Sequence, residues 1–283
     1  MMCHRINRPP CWLHLMWLLL LFSPALLAAQ QVSEVRPGAA DATTTSLQLG
    51  TFARVIKDSN SSLTAAEILA NPLQFPGSPG EVITSFTFTD ASYWFYIPLN
   101  NASSLAVTRL LVFEPTWLDD IRITLANSNG ILQEIRGGDY LPFDHRSQPH
   151  RKINVALTIP AGESRLLVRV QTQDPFVVGL SLWEHAAFFQ VDSRESIYIG
   201  LVYGVLSAML LYNLVLFVSI RESVYAAYVG YVLFFILMHA TYNGHMYPLL
   251  WPDSPHWGNW AHSLFIYLFI FSGLYFAINF LEL

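Results

Sequence analysis

The chain has 283 residues, of which 53% are hydrophobic and only 12% charged, with a formal net charge of −5 at pH 7. Soluble globular proteins carry about 25% charged residues, so a large part of this chain is built for apolar surroundings. Its mild acidity excludes a nucleic-acid-binding face, and two cysteines are too few for a disulfide framework.

The first element is a leader. Arg5 and Arg8 precede an apolar run over 13–28, interrupted by Ser23-Pro24 and closed by Ala28-Ala29-Gln30. A positive start, a short apolar middle and a small-residue end predict a signal peptide over 1–29, in preference to an uncleaved anchor. Cys3 and Cys11 both lie inside it. The mature chain would then hold no thiol for a disulfide, a metal or nucleophilic catalysis.

Residues 30–192 have ordinary charge density and read as short strands separated by turns. Thr64-Ala65-Ala66-Glu67 has capping-box spacing and predicts about two turns of helix, stopped by Asn71-Pro72. Beyond it, Tyr93, Phe95, Ile97 and Leu99 alternate with Trp94 and Tyr96. Ile121, Ile123 and Leu125 lead through Asn129-Gly130 into Ile131–Ile135, a hairpin whose turn needs positive φ. Val155, Leu157 and Ile159 pass through Pro160-Ala161-Gly162 to Leu166, Val168 and Val170, a second hairpin. This spacing predicts an all-β jelly roll or β-sandwich, large enough to bury a core without disulfides.

Three nearly charge-free stretches follow within 196–283, at about 197–220, 224–251 and 257–281. Each is long enough, at about 1.5 Å per residue, to cross a hydrocarbon core of about 30 Å. They predict three transmembrane helices behind an exported domain. Export places the β-domain and Trp251–Trp257 outside and Arg221-Glu222 inside. Tyr198, Tyr225, Trp251, Trp257 and Trp260 fit interfacial belts.

A resemblance joins the two halves. Tyr93-Trp94-Phe95, Asn100, Leu118-Asp119-Asp120-Ile121, Gly138-Asp139, Pro142-Phe143, Arg146 and Leu167–Val170 stand in an order that resembles the extracellular domain of the bacterial 7TMR-DISM receptors. These are seven-transmembrane receptors with diverse intracellular signalling modules. Gly200–Gly204, Leu211-Tyr212-Asn213, Arg221-Glu222, Tyr225–Tyr228, Gly244 and Trp251-Pro252 resemble that family's first spans. The likeness runs from about Leu47 onward. It implies a jelly-roll sensor in the periplasm, a seven-helix bundle in the bacterial inner membrane, and a cytoplasmic output such as a diguanylate cyclase or histidine kinase. The chain ends after three helices, so no cytoplasmic activity is carried over. The competing class is a non-signalling membrane protein, either a transporter subunit or an envelope adhesion module.

The ligand expected of such a sensor is a small molecule, with carbohydrate as one candidate. Trp94, Tyr96, Trp117 and Trp183 would stack on a sugar or else fill the core, and Trp94 stands out because it lies opposite its strand's apolar face. Asp139, Arg146 and Arg169 resemble family positions. Arginines can grip an anionic group bidentately, although an Asp139–Arg146 pair would equally staple its own loop. Asp139, Asp144, His145 and His150 fit no compact metal spacing, and no metal or other cofactor is expected. Gly137-Gly138-Asp139 opens like a cyclase signature but continues Tyr140-Leu141, and no catalytic residue is predicted anywhere. In the first span, Gly200 and Gly204 form GxxxG, and Asn213 places an amide at membrane depth. All three suit helix packing, and the glycines are compatible with a homodimer.

Overall fold

Strict alternation along the strands creates two apolar faces that must be buried against each other, and the fold follows from that requirement. The computed structural model describes residues 40–75 and 77–281; the leader predicted over 1–29, with its cleavage site, lies outside the described residues. In chain order the strands are β1 (Ala40–Asp41), β2 (Ser46–Gln48), β3 (Arg54–Asp58), β4 (Gly77–Pro79), β5 (Ile83–Ser85), β6 (Ser92–Asn101), β7 (Val107–Glu114), β8 (Asp120–Asn127), β9 (Gly130–Gly137), β10 (Ile153–Ile159), β11 (Gly162–Gln171) and β12 (Val177–Trp183). One sheet has the order β4-β3-β6-β11-β8-β9, with β1 added in parallel to β6. The other runs β10-β7-β12-β2, with β5 also paired to β12. The expected β-sandwich is the observed fold.

Phe95, Ile97 and Leu99 of β6 meet Ile123 and Val168 inside, across from Phe113, Val155 and Leu180 of the smaller sheet; all are essentially buried. Each outer sheet face receives a helix. Helix α1 (Ala65–Ala70) lays Ile68 on Ile56, Trp94 and Leu167 of the larger sheet. Its start is the predicted capping box: Thr64 Oγ1 accepts from the Glu67 N–H at 3.3 Å, and the Glu67 carboxylate accepts the Thr64 N–H at 2.8 Å. On the smaller sheet, Leu110 and Val112 are covered by Phe188.

Phe188 belongs to α2 (His185–Ile220), which starts one residue after β12 and runs unbroken for 36 residues. The sequence places the first charge-free span at about 197–220, whereas the helix already exists at His185. Its first turns rest on the sandwich and the remainder enters the apolar segment. Helix α3 (Ser223–Tyr242) returns, a short α4 (Met246–Leu250) follows, and α5 (Pro255–Leu281) leaves again. The second charge-free stretch is therefore divided at Asn243–His245. Among the described residues, three helices, α2, α3 and α5, are long and apolar enough to cross a membrane. Helix α3 packs against both α2 and α5, and the connection from α3 through α4 to α5 lies on the sandwich side.

The β8–β9 turn takes the predicted form. Asn127 pairs with Gly130, the Asn127 side-chain oxygen accepts the Asn129 N–H at 2.8 Å, and Gly130 adopts φ +126°. A Cβ at Gly130 would meet no atom within 4 Å, so a side chain there costs backbone strain alone. Gly130→Val is expected to destabilise the sandwich by about 1–3 kcal/mol. A melting temperature equal to that of the parent chain would contradict this account of the turn.

Candidate functional site

The sandwich is fastened to the outer ends of the spans at two places, and the functional residues gather around them. At the first, His150-Arg151-Lys152, where the chain enters β10, faces one side of α2. Arg151 pairs with Glu195 at 2.8 Å and with Asp192 at 3.4 Å, and Lys152 reaches Glu195 at 3.0 Å as well as Glu114. Asp192 and Glu195 are three residues apart, hence on one helix face. His150 accepts the Lys152 N–H on Nδ1 at 3.1 Å, which leaves the proton on Nε2, 2.9 Å from the Asp192 carboxylate. Burial pushes the His150 pKa down even though Asp192 opposes the shift, so the ring is held as the neutral donor.

At the second place, the loops around β8 and β9 meet the ends of α3, α4 and α5. Thr116 Oγ1 donates to the Tyr242 carbonyl at 3.1 Å, and the Trp117 ring lies 4.6 Å from that of Tyr242. Tyr247 Oη donates to the Leu141 carbonyl at 2.7 Å, and the Phe143 N–H to the Pro252 carbonyl at 3.0 Å. Between these contacts lies a cavity of about 70 Å³, lined by Asp139, Arg146 and Asp174 from the sandwich and by Trp251, Asn259 and His262 from the helices.

Two of the four predicted ligand residues, Asp139 and Arg146, thus share one cavity. Gly138 at φ +122° makes this possible, since a Cβ there would overlap the Asp119 carbonyl; Asp139 is then pinned by its N–H to the Leu118 carbonyl at 2.8 Å. Burial, then the charges of Asp119 and Asp174, push the Asp139 pKa up to about 8, against the smaller pull of Arg146 and Asn259. Burial lowers Arg146 to about 10, which leaves it a cation. Arg146 Nη1 donates to the His150 and Arg151 carbonyls at 2.7 and 2.6 Å, and its guanidinium lies over the Phe143 and Tyr247 rings. No direct Asp139–Arg146 ion pair occurs among the described residues. The loop is held by the backbone carbonyls instead.

The other two, Trp94 and Arg169, lie on the outer face of the larger sheet, along a groove of about 540 Å³ shared with Arg122, Thr124, Glu134 and Arg136. Trp94 is on the outer face, as its alternation predicts, yet α1 covers it and leaves it 3% exposed. Its indole N–H donates to Asp58 at 3.4 Å. Burial alone would raise the Asp58 carboxyl, but donors from Leu63, Ser62, Trp94 and Ser92 hold it below the ordinary carboxylate range. Trp94 is therefore the floor of the groove rather than a free stacking platform. Arg169 bonds Asp120 at 3.1 Å and Gln171 at 2.7 Å, while Arg122, more exposed, also pairs with Asp120 at 3.2 Å.

Trp117 is the aromatic candidate that reaches the junction, Trp183 donates to Ser181 at 2.9 Å, and Tyr96 packs beside α1. In the first span a Cβ at Gly200 or Gly204 would meet nothing within 4 Å, and Asn213 donates to the Met209 carbonyl of its own helix at 2.9 Å. Among the described residues no group of three or more His, Cys, Asp or Glu could hold a metal ion. Sequence reasoning passed over the pairing of Arg151 and Lys152 with Asp192 and Glu195, although a basic triplet and an acidic i, i+3 pair before an apolar run were visible signals. It also passed over Asp174, Asn259 and His262, whose spacing carries none.

The raised Asp139 pKa fixes a direction of pH dependence. The unfolded carboxyl titrates near 3.8 and the folded one near 8, so the folded chain retains a proton across that window. Its stabilising contribution is complete below the lower value and is lost as pH rises through the upper one. Melting temperatures of the purified chain are expected to fall between pH 5 and about 8.5, and Asp139→Asn is expected to flatten this slope. An unchanged slope in the variant would assign the dependence to another group.

Residues 50–184 match the family model described as 7TMR-DISM extracellular 2, and residues 195–283 match the one described as 7TM diverse intracellular signalling. Comparison with curated proteins gives no match. Among solved structures, the chain is similar to CsCBM6-3 from Clostridium stercorarium in complex with cellobiose, with 12% identity and a TM-score of 0.26 over 53% of this chain and 99% of that one. It is also similar to a structure described under the promiscuous specificity of carbohydrate-binding modules from the β-sandwich superfamily, with 10% identity and a TM-score of 0.24 over 49% of this chain and 54% of that one.

Proposed function

The chain belongs to the 7TMR-DISM family of membrane receptors, and on that premise we propose that it is the sensory and membrane-input part of a bacterial transmembrane signalling receptor. The sandwich faces the periplasm, takes up a small soluble ligand, and passes a displacement through the inner-membrane spans to a cytoplasmic output module such as a diguanylate cyclase or histidine kinase. The observation that carries this reading is the join. Only Glu184 stands between β12 and α2, and α2 continues without a break from the sandwich into the apolar segment. A Gly/Ser tether would absorb a displacement, whereas a helix transmits it. The leader over 1–29 and the domain limits 30–192 and 196–283 belong to the same proposal, as does helix packing through Gly200, Gly204 and Asn213.

The outer-face groove supports the ligand part. Its volume falls within the range of small-molecule sites, about 300–1,000 Å³. Three guanidinium groups, a carboxylate and three hydroxyls line it above the Trp94 floor. Such a mixture of donors and acceptors suits a polyhydroxylated molecule, a carbohydrate or sugar acid above all.

Two measurements test the proposal. A thermal-shift screen of neutral and acidic sugars on the purified chain is expected to give a hit whose affinity drops ten- to a hundredfold in Arg122→Ala, the loss of about 1–3 kcal/mol in charge-assisted bonding. Affinity that stays constant in this variant would remove the groove from the model. The same ligand is expected to change hydrogen exchange along α2. A Gly-Gly-Ser insertion between Glu184 and His185 should abolish that change while binding persists, and transmission that survives the insertion would overturn the coupling.

A further inference from the structure

The junction cavity holds an imbalance of charge that its own residues do not resolve. Two carboxyl groups, Asp139 and Asp174, line it, and a third, Asp119, stands beside Asp139; Asp119 and Asp139 are 3% and 8% exposed. Arg146 is the one guanidinium in its wall. That cation is partly engaged, since Nη1 is shared between two carbonyls and the guanidinium lies over two rings. Asp139 Oδ1 is buried with no hydrogen-bond partner, and so is His262 Nδ1, contributed from the opposite wall by α5. Four aromatic side chains, Trp117, Tyr242, Tyr247 and Trp251, form much of the wall, and Asn259 and small polar residues complete it. The cavity measures about 70 Å³. A single water needs about 10–15 Å³ on the same measure, so the space suits a molecule of roughly five heavy atoms.

We propose that this cavity binds a small organic ammonium ion, whose N–H groups donate to Asp139 Oδ1 while the surrounding rings pack against its carbon atoms. Excess carboxyl groups in a desolvated space call for a cation, and aromatic faces favour an organic cation over a hydrated inorganic one. An anion would meet two lining acids, with a third beside them, against the single guanidinium of Arg146. The raised pKa of Asp139 is the same imbalance expressed as proton affinity: with the cavity empty, a proton supplies the missing positive charge. The groups that face Asp139 are Asp119, Tyr140, Arg146 and Asp174 on the sandwich and Tyr247 and His262 on the helices. The sandwich and the span ends each supply part of the wall, so an occupant would draw the two together. This site is separate from the outer-face groove, and either assignment can fail without the other.

The test uses the full chain in lipid nanodiscs and ethylammonium chloride as probe, followed by saturation-transfer NMR, with sodium chloride as the matched-ionic-strength control. Saturable ethylammonium binding is expected, and sodium should not displace it. Affinity should fall about tenfold per pH unit below pH 8, because each ammonium ion must displace a proton from Asp139. Asp139→Asn is expected to weaken binding at least tenfold and to erase the pH dependence. Asp174→Asn, which leaves Asp139 in place, should weaken binding while keeping that dependence. Absence of saturable binding, equal displacement by sodium, or a pH-independent affinity in the parent chain would each overturn the proposal. The parent-chain measurements decide the matter even if Asp139→Asn does not fold.

Discussion

Two carboxylates one helical turn apart, Asp192 and Glu195, hold the first span against the sandwich, and the remaining geometry of the junction depends on that clamp. Asp192 is 14% exposed and its partners, the cation Arg151 and the neutral donor His150, are each 9% exposed, so the Arg151–Asp192 pair lies largely away from water. There the attraction of the pair is offset by desolvation, but removal of one partner strands the other, at a cost of about 3–5 kcal/mol. The clamp therefore specifies one orientation more than it adds net stability. Phe188 fixes the same orientation independently, by covering Leu110 and Val112. With α2 oriented, α3 packs beside it, and the ends of α3, α4 and α5 come to rest against Trp117, Tyr140 and Phe143.

The two candidate sites differ in the physics available to them. The outer-face groove is wide and charged, with Arg122 and Asp120 partly open to water, where ion pairs are screened and contribute little. Its strength lies in the number of groups it can offer to a polar ligand. The junction cavity is small and its Asp139 and Arg146 are buried, so charges there reach further than on the open sheet face, as the displacement of both titrations illustrates.

How far the sequence disclosed this arrangement depends on the range of the contacts involved. Thr64 and Glu67 are three residues apart, and their reciprocal bonds were legible. So was the Asn129-Gly130 turn, and so was the alternation of β6, which is a property of the strand itself. Trp94 marks the limit. Its placement opposite Phe95 was readable, but the landing of α1 upon it was not, because that contact joins Ile68 to a strand more than twenty residues away. Helix α2 was read as starting late because its charged residues, 192–195, looked like a join; their partners lie about forty residues earlier, at the entrance to β10. Asp139 and Arg146 were read together because they share a loop. The wall that encloses them comes from residues beyond 240, and no local pattern announces a surface that exists only once two parts of the chain have met.

The unbroken helix between sandwich and membrane also sets the mechanical gain of the molecule. At about 1.5 Å per residue, 36 residues make a rod of about 54 Å. The clamp at Asp192 and Glu195 grips this rod close to one end, so it acts as a fulcrum with a short arm towards β12 and a long arm through the bilayer. Beyond the clamp the long arm is about 40 Å and the short arm about 13 Å, so a tilt of about 5° swings the far end through roughly 3.5 Å, about three times the movement at β12. Packed helices in switching proteins shift by about 1–2 Å, so a swing of that size exceeds what such contacts ordinarily absorb. In the proposed receptor, a shift at the sandwich too small to disturb its core would reach Ile220 magnified about threefold.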